Sequence, residues 1–195
     1  TEIYTLSLHD ALPISEMQMV HGDARFADAH TLIVDQGNGD YTEVKADRFL
    51  IATGSSAAIP PIPGLAGTPY WTSTEALVAK KLPKHLIVIG AGIVALELAQ
   101  AFLRLGSEVT LLARHTLMYS EDPAIGAALQ KALESEGMRI RTHTQAEAIQ
   151  YRKGWLSSGK FHIHTEHGIL HGDRVLIATG RSEEHTSELQ SRETI

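Results

Sequence analysis

Residues 85–113 read HLIVIGAGIVALELAQAFLRLGSEVTLLA. The segment opens with an apolar run, 85–89, of the kind buried on both faces of a parallel sheet. Gly90-Ala91-Gly92 then makes a tight turn, residues 93–105 carry a helical apolar period, and Gly106 stops the helix. Residues 108–113 (EVTLLA) supply a second strand. Strand, glycine turn, helix and strand thus frame the pattern Gly90-x-Gly92-x-x-Ala95. In this frame Gly90 permits the sharp turn and Gly92 lets the backbone approach a pyrophosphate. Ala95 is small enough for close helix–strand packing. The first helical turn, with Ile93 and Val94, offers unpaired N–H groups and partial positive charge to phosphates. The competing reading is a glycine turn that serves packing alone.

Downstream, Asp122-Pro123 opens a second helix through Glu136, with Asp122 as its cap, and Gly137 ends it. Residues 138–142 (MRIRT) form a third strand, 161–165 and 168–170 a hairpin, and 173–178 (DRVLIA) a last buried strand ending in Thr179-Gly180. This order predicts an α/β fold: a doubly wound, Rossmann-like NAD(P)-binding domain with a β-meander. Upstream, residues 18–26 read as a strand leading into a turn at Gly22-Asp23. Residues 31–35 and 41–44 form a hairpin through 36–40, and 48–52 (RFLIA) a buried strand. Residues 55–69, rich in proline, form an extended connector, and 72–79 a short helix capped by Thr72 or Ser73. The hexapeptides FLIATG (49–54) and VLIATG (175–180) are nearly identical, which suggests two related nucleotide-binding domains.

The end of the second strand selects the dinucleotide. An NAD site places a carboxylate there for the ribose 2′-hydroxyl. This chain has Ala113, then Arg114-His115. Arg114 offers a planar fork suited to a 2′-phosphate, and His115 assists when protonated, so the pattern points to NADPH. The alternative is a solvated arginine at a strand end.

Bulk properties narrow the field further. A net charge of −6 argues against a broad nucleic-acid footprint. No apolar run approaches the length of a membrane span. The chain contains no cysteine, which removes disulfides, thiolate metal sites and thiol nucleophiles together. His162, His164, His167 and His171 crowd the hairpin, where a solvated face is favoured over a metal site.

The two ends read differently from the middle. Residues 1–14 match a translated sequencing adapter, and residues 181–191 (RSEEHTSELQS) match the opposite adapter. Residues 1–15 and 181–195 are therefore expected to be non-native, and 16–180 to be an internal fragment.

Several further segments carry a family resemblance: the ATGS at 52–55, PPIPGL, YWTSTEAL, IGAGIVALELAQAF, LGSEVTLLAR, EDPAIG and the second ATG. Together they make residues 16–180 resemble the pyridine nucleotide–disulfide oxidoreductases, the mercuric reductases in particular. The resemblance implies a partial FAD-binding domain at 16–81 and an NADPH-binding domain at 82–180. It implies that Thr53 and Gly54 pack against FAD, that Gly22 and Ala24 meet its adenosine, and that Gly180 belongs to the NADPH site. Glu97 matches a carboxylate paired near the nicotinamide, partly buried between apolar neighbours, and Ile93 matches a gate for the nicotinamide. The implied parent is a cytoplasmic homodimeric enzyme that passes electrons from NADPH through FAD and a cysteine pair to Hg(II). With no cysteine, the chain as given is expected to be inactive. The rivals are another FAD-dependent disulfide reductase (dihydrolipoamide dehydrogenase-like or NADH oxidase-like), a non-catalytic nucleotide-binding module, or an inert chimeric product.

Overall fold

A computed structural model describes residues 18–153 and 159–182, and the chain divides into two compact units between Ala52 and Thr53. The expectations for residues 1–15, and for the tail beyond Ser182, lie outside the described residues.

The first unit is an antiparallel meander of β1 (Asp23–Asp28), β2 (Thr31–Asp35) and β3 (Tyr41–Lys45). Its β2–β3 turn is set by side chains. The Asp35 carboxylate accepts from the Gly37 N–H at 2.9 Å, and the Asn38 amide oxygen from the Asp40 N–H at 3.0 Å. Such Asx turns offer the backbone a partner where the ladder ends. Two expectations need correction here. β1 begins at Asp23 rather than near residue 18, because its ladder starts at the Asp23–Asp35 pair and β2 extends no further. Residues 48–52 form no strand, and Leu50 and Ile51 are 93% and 46% exposed. An apolar run becomes a buried strand only beside other strands. β1, β2 and β3 complete their pairing without it.

The second unit is built on a parallel sheet of β5 (His85–Ile89), β6 (Glu108–Leu112), β7 (Arg139–Arg141) and β11 (Arg174–Ile177), in the order β11-β5-β6-β7. Relative to β5 this is the 3-2-1-4 order of the Rossmann fold. All three ladders are parallel and run unbroken, from Leu86–Arg174 to Ile89–Ile177 on one side of β5 and from His85–Glu108 to Ile89–Leu112 on the other. Before the sheet come β4 (Ser56–Ala57) and α1 (Ser73–Leu77). α2 (Ile93–Arg104) and α3 (Pro123–Ser135) are its crossovers. β8 (Ala148–Arg152), β9 (Lys160–Thr165) and β10 (Gly168–Gly172) make the antiparallel meander between β7 and β11.

Alternation along the strands assigns each residue to one of two cores. Leu86, Val88, Val109, Leu111 and Leu176 point to a cluster shared with Ala95, Ala99 and Phe102 of α2 and Leu133 of α3. Ile87, Ile89, Leu112, Val175 and Ile177 point the other way, to Ile149, Phe161 and Ile163 of the meander. The sheet is thus buried on both faces, by helices on one and by the meander on the other. Each large aliphatic side chain fully buried there contributes roughly 1.5–3 kcal/mol over exposure. β8 has no counterpart in the sequence-based expectation. Its signal is the alternation Ile149-Gln150-Tyr151-Arg152, buried, exposed, half-buried, exposed.

The proline-rich connector does structural work in this unit. Leu65, 1% exposed, enters the meander-side core, and the Pro63 carbonyl accepts from the Ile149 N–H at 2.8 Å. Trp71 extends the sheet by one bridge beside Leu176, its N–H donating to the Val175 carbonyl at 2.8 Å. Of the two caps the sequence offers for α1, Thr72 rather than Ser73 takes the position, with Glu75 closing a capping box, and the helix ends at Leu77 rather than near residue 79.

A candidate dinucleotide site at the glycine turn

The C-terminal ends of parallel strands face the crevice where nucleotides bind in this architecture. The glycine turn lies there, between β5 and α2. Gly90 has φ +130°, and a Cβ on it would stand 2.2 Å from the Ala178 carbonyl oxygen. Gly92 caps α2 with φ −84°, and a Cβ on it would meet nothing within 4 Å. One glycine is therefore dictated by packing against the chain leaving β11, and the other fronts open space. Ala95, fully buried, fills the position where a larger side chain would push α2 off the sheet.

Helix α2 differs from its neighbours at its start. Thr72 caps α1 and Asp122 caps α3 through their side chains, whereas Gly92 supplies no side-chain cap to α2. The Gly92 carbonyl accepts the first helical bond, from the Leu96 N–H at 3.1 Å. The N–H groups of Ile93, Val94 and Ala95 precede it and have no partner inside a helix. Ile93 and Val94 are exposed, at 59% and 43%. This end of α2 presents donors and partial positive charge to whatever stands before Gly92.

The chain beyond β6 is tied to that turn. Ala113 is fully buried and Arg114 and His115 are exposed. Among the described residues Arg114 takes part in no salt bridge. The Met118 N–H donates to the Ala91 carbonyl at 3.1 Å, and Leu117 is buried in the helix-side core. The loop bearing Arg114 and His115 is thus hydrogen-bonded to the glycine turn itself. Met118 and Tyr119 of this loop belong to no motif of the sequence. Nothing in the sequence announces a methionine with φ +49°, but a tyrosine four residues after His115 is visible there.

Gly180 lies just past β11, at the same end of the sheet. Its carbonyl accepts from the Ala58 N–H at 3.0 Å, and the Thr179 hydroxyl donates to the Ala58 carbonyl at 2.9 Å. β12 (Arg181–Ser182) continues this by pairing with β4, so the first two residues of the adapter-like tail form part of a two-stranded ladder. Glu97 is exposed and forms no salt bridge with any described residue, so its expected partial burial is corrected. The helical period explains this: Leu96 and Ala99 take the sheet side of α2, leaving Glu97 with Ile93 and Val94 on the outer side.

The residues assigned to FAD fall in different places. Gly22 and Ala24 belong to the first unit, and Thr53 and Gly54 to the second. Gly22 has a packing reason to be glycine, since a Cβ there would stand 2.2 Å from the Asp35 carbonyl oxygen. No Cβ contact limits Gly54. His162 and His171 are cross-strand neighbours with ring centroids 4.6 Å apart. Among the described residues no group of three or more His, Asp or Glu is arranged to hold a metal ion, and no helix is long and apolar enough to cross a membrane.

The 3-2-1-4 parallel sheet, with a glycine turn between its first strand and an uncapped helix, is the Rossmann-like arrangement of the dinucleotide-binding folds. The chain belongs to the pyridine nucleotide-disulphide oxidoreductase family, whose model matches residues 13–193. It is 56% identical over 164 residues to a mercuric reductase of Shigella flexneri and 51% identical over 164 residues to one of Acidithiobacillus ferrooxidans. Each match covers 84% of this chain, and the chain spans only 29% of either relative. Among solved structures, the HOCl-induced flavoprotein disulfide reductase RclA from Escherichia coli superimposes with a TM-score of 0.69 at 33% identity, over 84% of this chain and 36% of that one.

Proposed function

We propose that residues 82–180 form an NADPH-binding domain and residues 16–81 part of an FAD-binding domain of a mercuric reductase. The observation that carries the NADPH reading is the pairing of the open Gly92 face, at an uncapped helix start, with an exposed Arg114 on a loop bonded to the same turn. The pyrophosphate would lie before Gly92 and the N–H groups of Ile93, Val94 and Ala95. Arg114 and His115 would meet the ribose 2′-phosphate, and Gly180 would border the site from β11. Glu97 and Ile93 would face the nicotinamide end. Gly22, Ala24, Thr53 and Gly54 would contribute to the FAD side.

In the whole protein, NADPH held at the glycine turn would be the hydride donor, FAD the acceptor, and a cysteine pair outside this chain would pass the two electrons to thiol-bound Hg(II). We read that protein as a cytoplasmic homodimer. The chain given contains no cysteine, so it would carry no electrons to Hg(II) through a cysteine pair of its own, and at most weak NADPH binding without turnover is expected.

Calorimetric titration of the full chain with NADPH and with NADH tests the reading. The expected result is tighter binding of NADPH, and loss of that preference in Arg114→Glu, where a carboxylate meets the 2′-phosphate. Equal affinity for both dinucleotides, or an unchanged ratio in Arg114→Glu, removes Arg114 from the site. Mercury reduction by the chain above a heat-killed control overturns the inactivity.

A further inference from the structure

The loop after β6 carries more than its arginine. The rings of His115 and Tyr119 stack, with centroids 4.3 Å apart and planes inclined by 24°. Tyr119 is 69% exposed, so its ring packs against the imidazole rather than in a core. The backbone enforces this arrangement. Met118, just before Tyr119, has φ +49°, a left-handed conformation that methionine rarely adopts. The Glu121 N–H donates to the Met118 carbonyl at 2.8 Å, and the His115 carbonyl accepts from the His143 N–H at 3.3 Å. Leu117, 1% exposed, anchors the loop between the two rings. The imidazole of the residue that follows Arg114 is thus held on one face by an aromatic ring on a fixed loop.

We propose that Tyr119 is a positioning residue for recognition of the ribose 2′-phosphate: its ring fixes the His115 imidazole beside Arg114, so that the imidazole N–H and the guanidinium fork meet the phosphate together. A free imidazole would sample several rotamers, and stacking removes that freedom before the ligand arrives. This inference rests on the NADPH reading above and adds to it a residue that never touches the cofactor. The group it serves is the one that separates NADPH from NADH, so its loss weakens only the first.

The test is titration of the full chain, and of Tyr119→Phe, Tyr119→Leu, His115→Ala and the His115→Ala/Tyr119→Leu double variant, with NADPH and NADH. Tyr119→Phe should keep the wild-type affinity ratio. Tyr119→Leu should lower the NADPH preference by about three- to ten-fold, the range of one aromatic stacking contact, with NADH affinity unchanged. The double variant should match His115→Ala. Tyr119→Asn replaces Tyr119→Leu should the latter melt early. An unchanged ratio in Tyr119→Leu, an equal loss for both dinucleotides, a loss in Tyr119→Phe, or additive effects in the double variant each overturns the role of Tyr119 and leaves the NADPH reading standing. Failure of the wild-type chain to bind either dinucleotide overturns both.

Discussion

Gly90 and Ala178 stand at the ends of adjacent parallel strands, so close that a Cβ on Gly90 would lie 2.2 Å from the Ala178 carbonyl oxygen and 2.6 Å from its carbon. Two residues along, Gly92 fronts empty space. The two glycines of the fingerprint are therefore glycine for different reasons, and one pair of substitutions separates them. Gly90→Ala forces an L-residue to φ +130° and drives a methyl into backbone, and should destabilise the chain by about 3 kcal/mol or more. Gly92→Ala should change stability by less than about 1 kcal/mol, the range of a cap substitution. It should nevertheless abolish NADPH binding, because the methyl occupies the approach to the helix start. Urea denaturation and titration of both variants check this. A Gly92→Ala chain that binds NADPH normally places the pyrophosphate elsewhere.

A second close approach fixes the arginine loop. A Cβ on Gly126, in the first turns of α3, would stand 2.3 Å from the Leu117 carbonyl oxygen. In an open helix, Gly→Ala stabilises by about 1 kcal/mol. Here the sign should reverse, with Gly126→Ala costing about 1–3 kcal/mol as α3 is pushed off the loop. Displacement of Leu117 strains the Met118–Ala91 hydrogen bond beside it, so NADPH affinity should fall as well. Melting curves and titration test the two effects separately, and a stabilised Gly126→Ala would show that the loop yields.

The contrast between the two hexapeptides shows where the sequence is legible. VLIATG at 175–180 has Leu176 and Ile177 at 0% and 1% exposure, inside β11. FLIATG at 49–54 has Leu50 and Ile51 at 93% and 46%, in no strand. Five of the six residues are the same, and the second copy has β5 beside it as a strand partner. Local pattern therefore revealed the strands of the parallel sheet, the cap Asp122, the choice of Thr72 or Ser73 before α1 and the glycine turn, all of which depend on near neighbours. It did not reveal that 48–52 lacks a partner, or that Glu97 faces outwards. Nor did it reveal the tether from Met118 to Ala91, because that contact joins residues 27 apart through a backbone conformation no residue type announces.

Acid should loosen the N-terminal ends of β5 and β11 in two stages. His85, half-buried at the start of β5, lies 2.9 Å from the Thr110 hydroxyl through Nε2. Burial pushes its imidazole below the usual 6.5, against the opposing pull of Glu108. The unfolded chain then binds the proton more readily, so stability is full above about pH 6.5 and declines as the pH falls towards the lowered folded value. Asp173, whose side chain is 12% exposed, accepts from the His85 N–H at 2.9 Å and from the Lys160 ammonium. Burial raises its carboxyl, but Lys160 and the His85 N–H together outweigh that and hold it below the usual 3.8. Its contribution is therefore present above about pH 4 and is lost as the pH falls through the folded value. Urea midpoints near neutrality, at about pH 5 and at about pH 3 should fall in both intervals for the wild-type chain. His85→Gln should flatten the first decline only. Asp173→Asn should cost about 1–3 kcal/mol near neutrality and flatten the second. A wild-type midpoint that stays level from neutrality to about pH 5 removes His85 from this account, and an acid limb unchanged in Asp173→Asn removes Asp173.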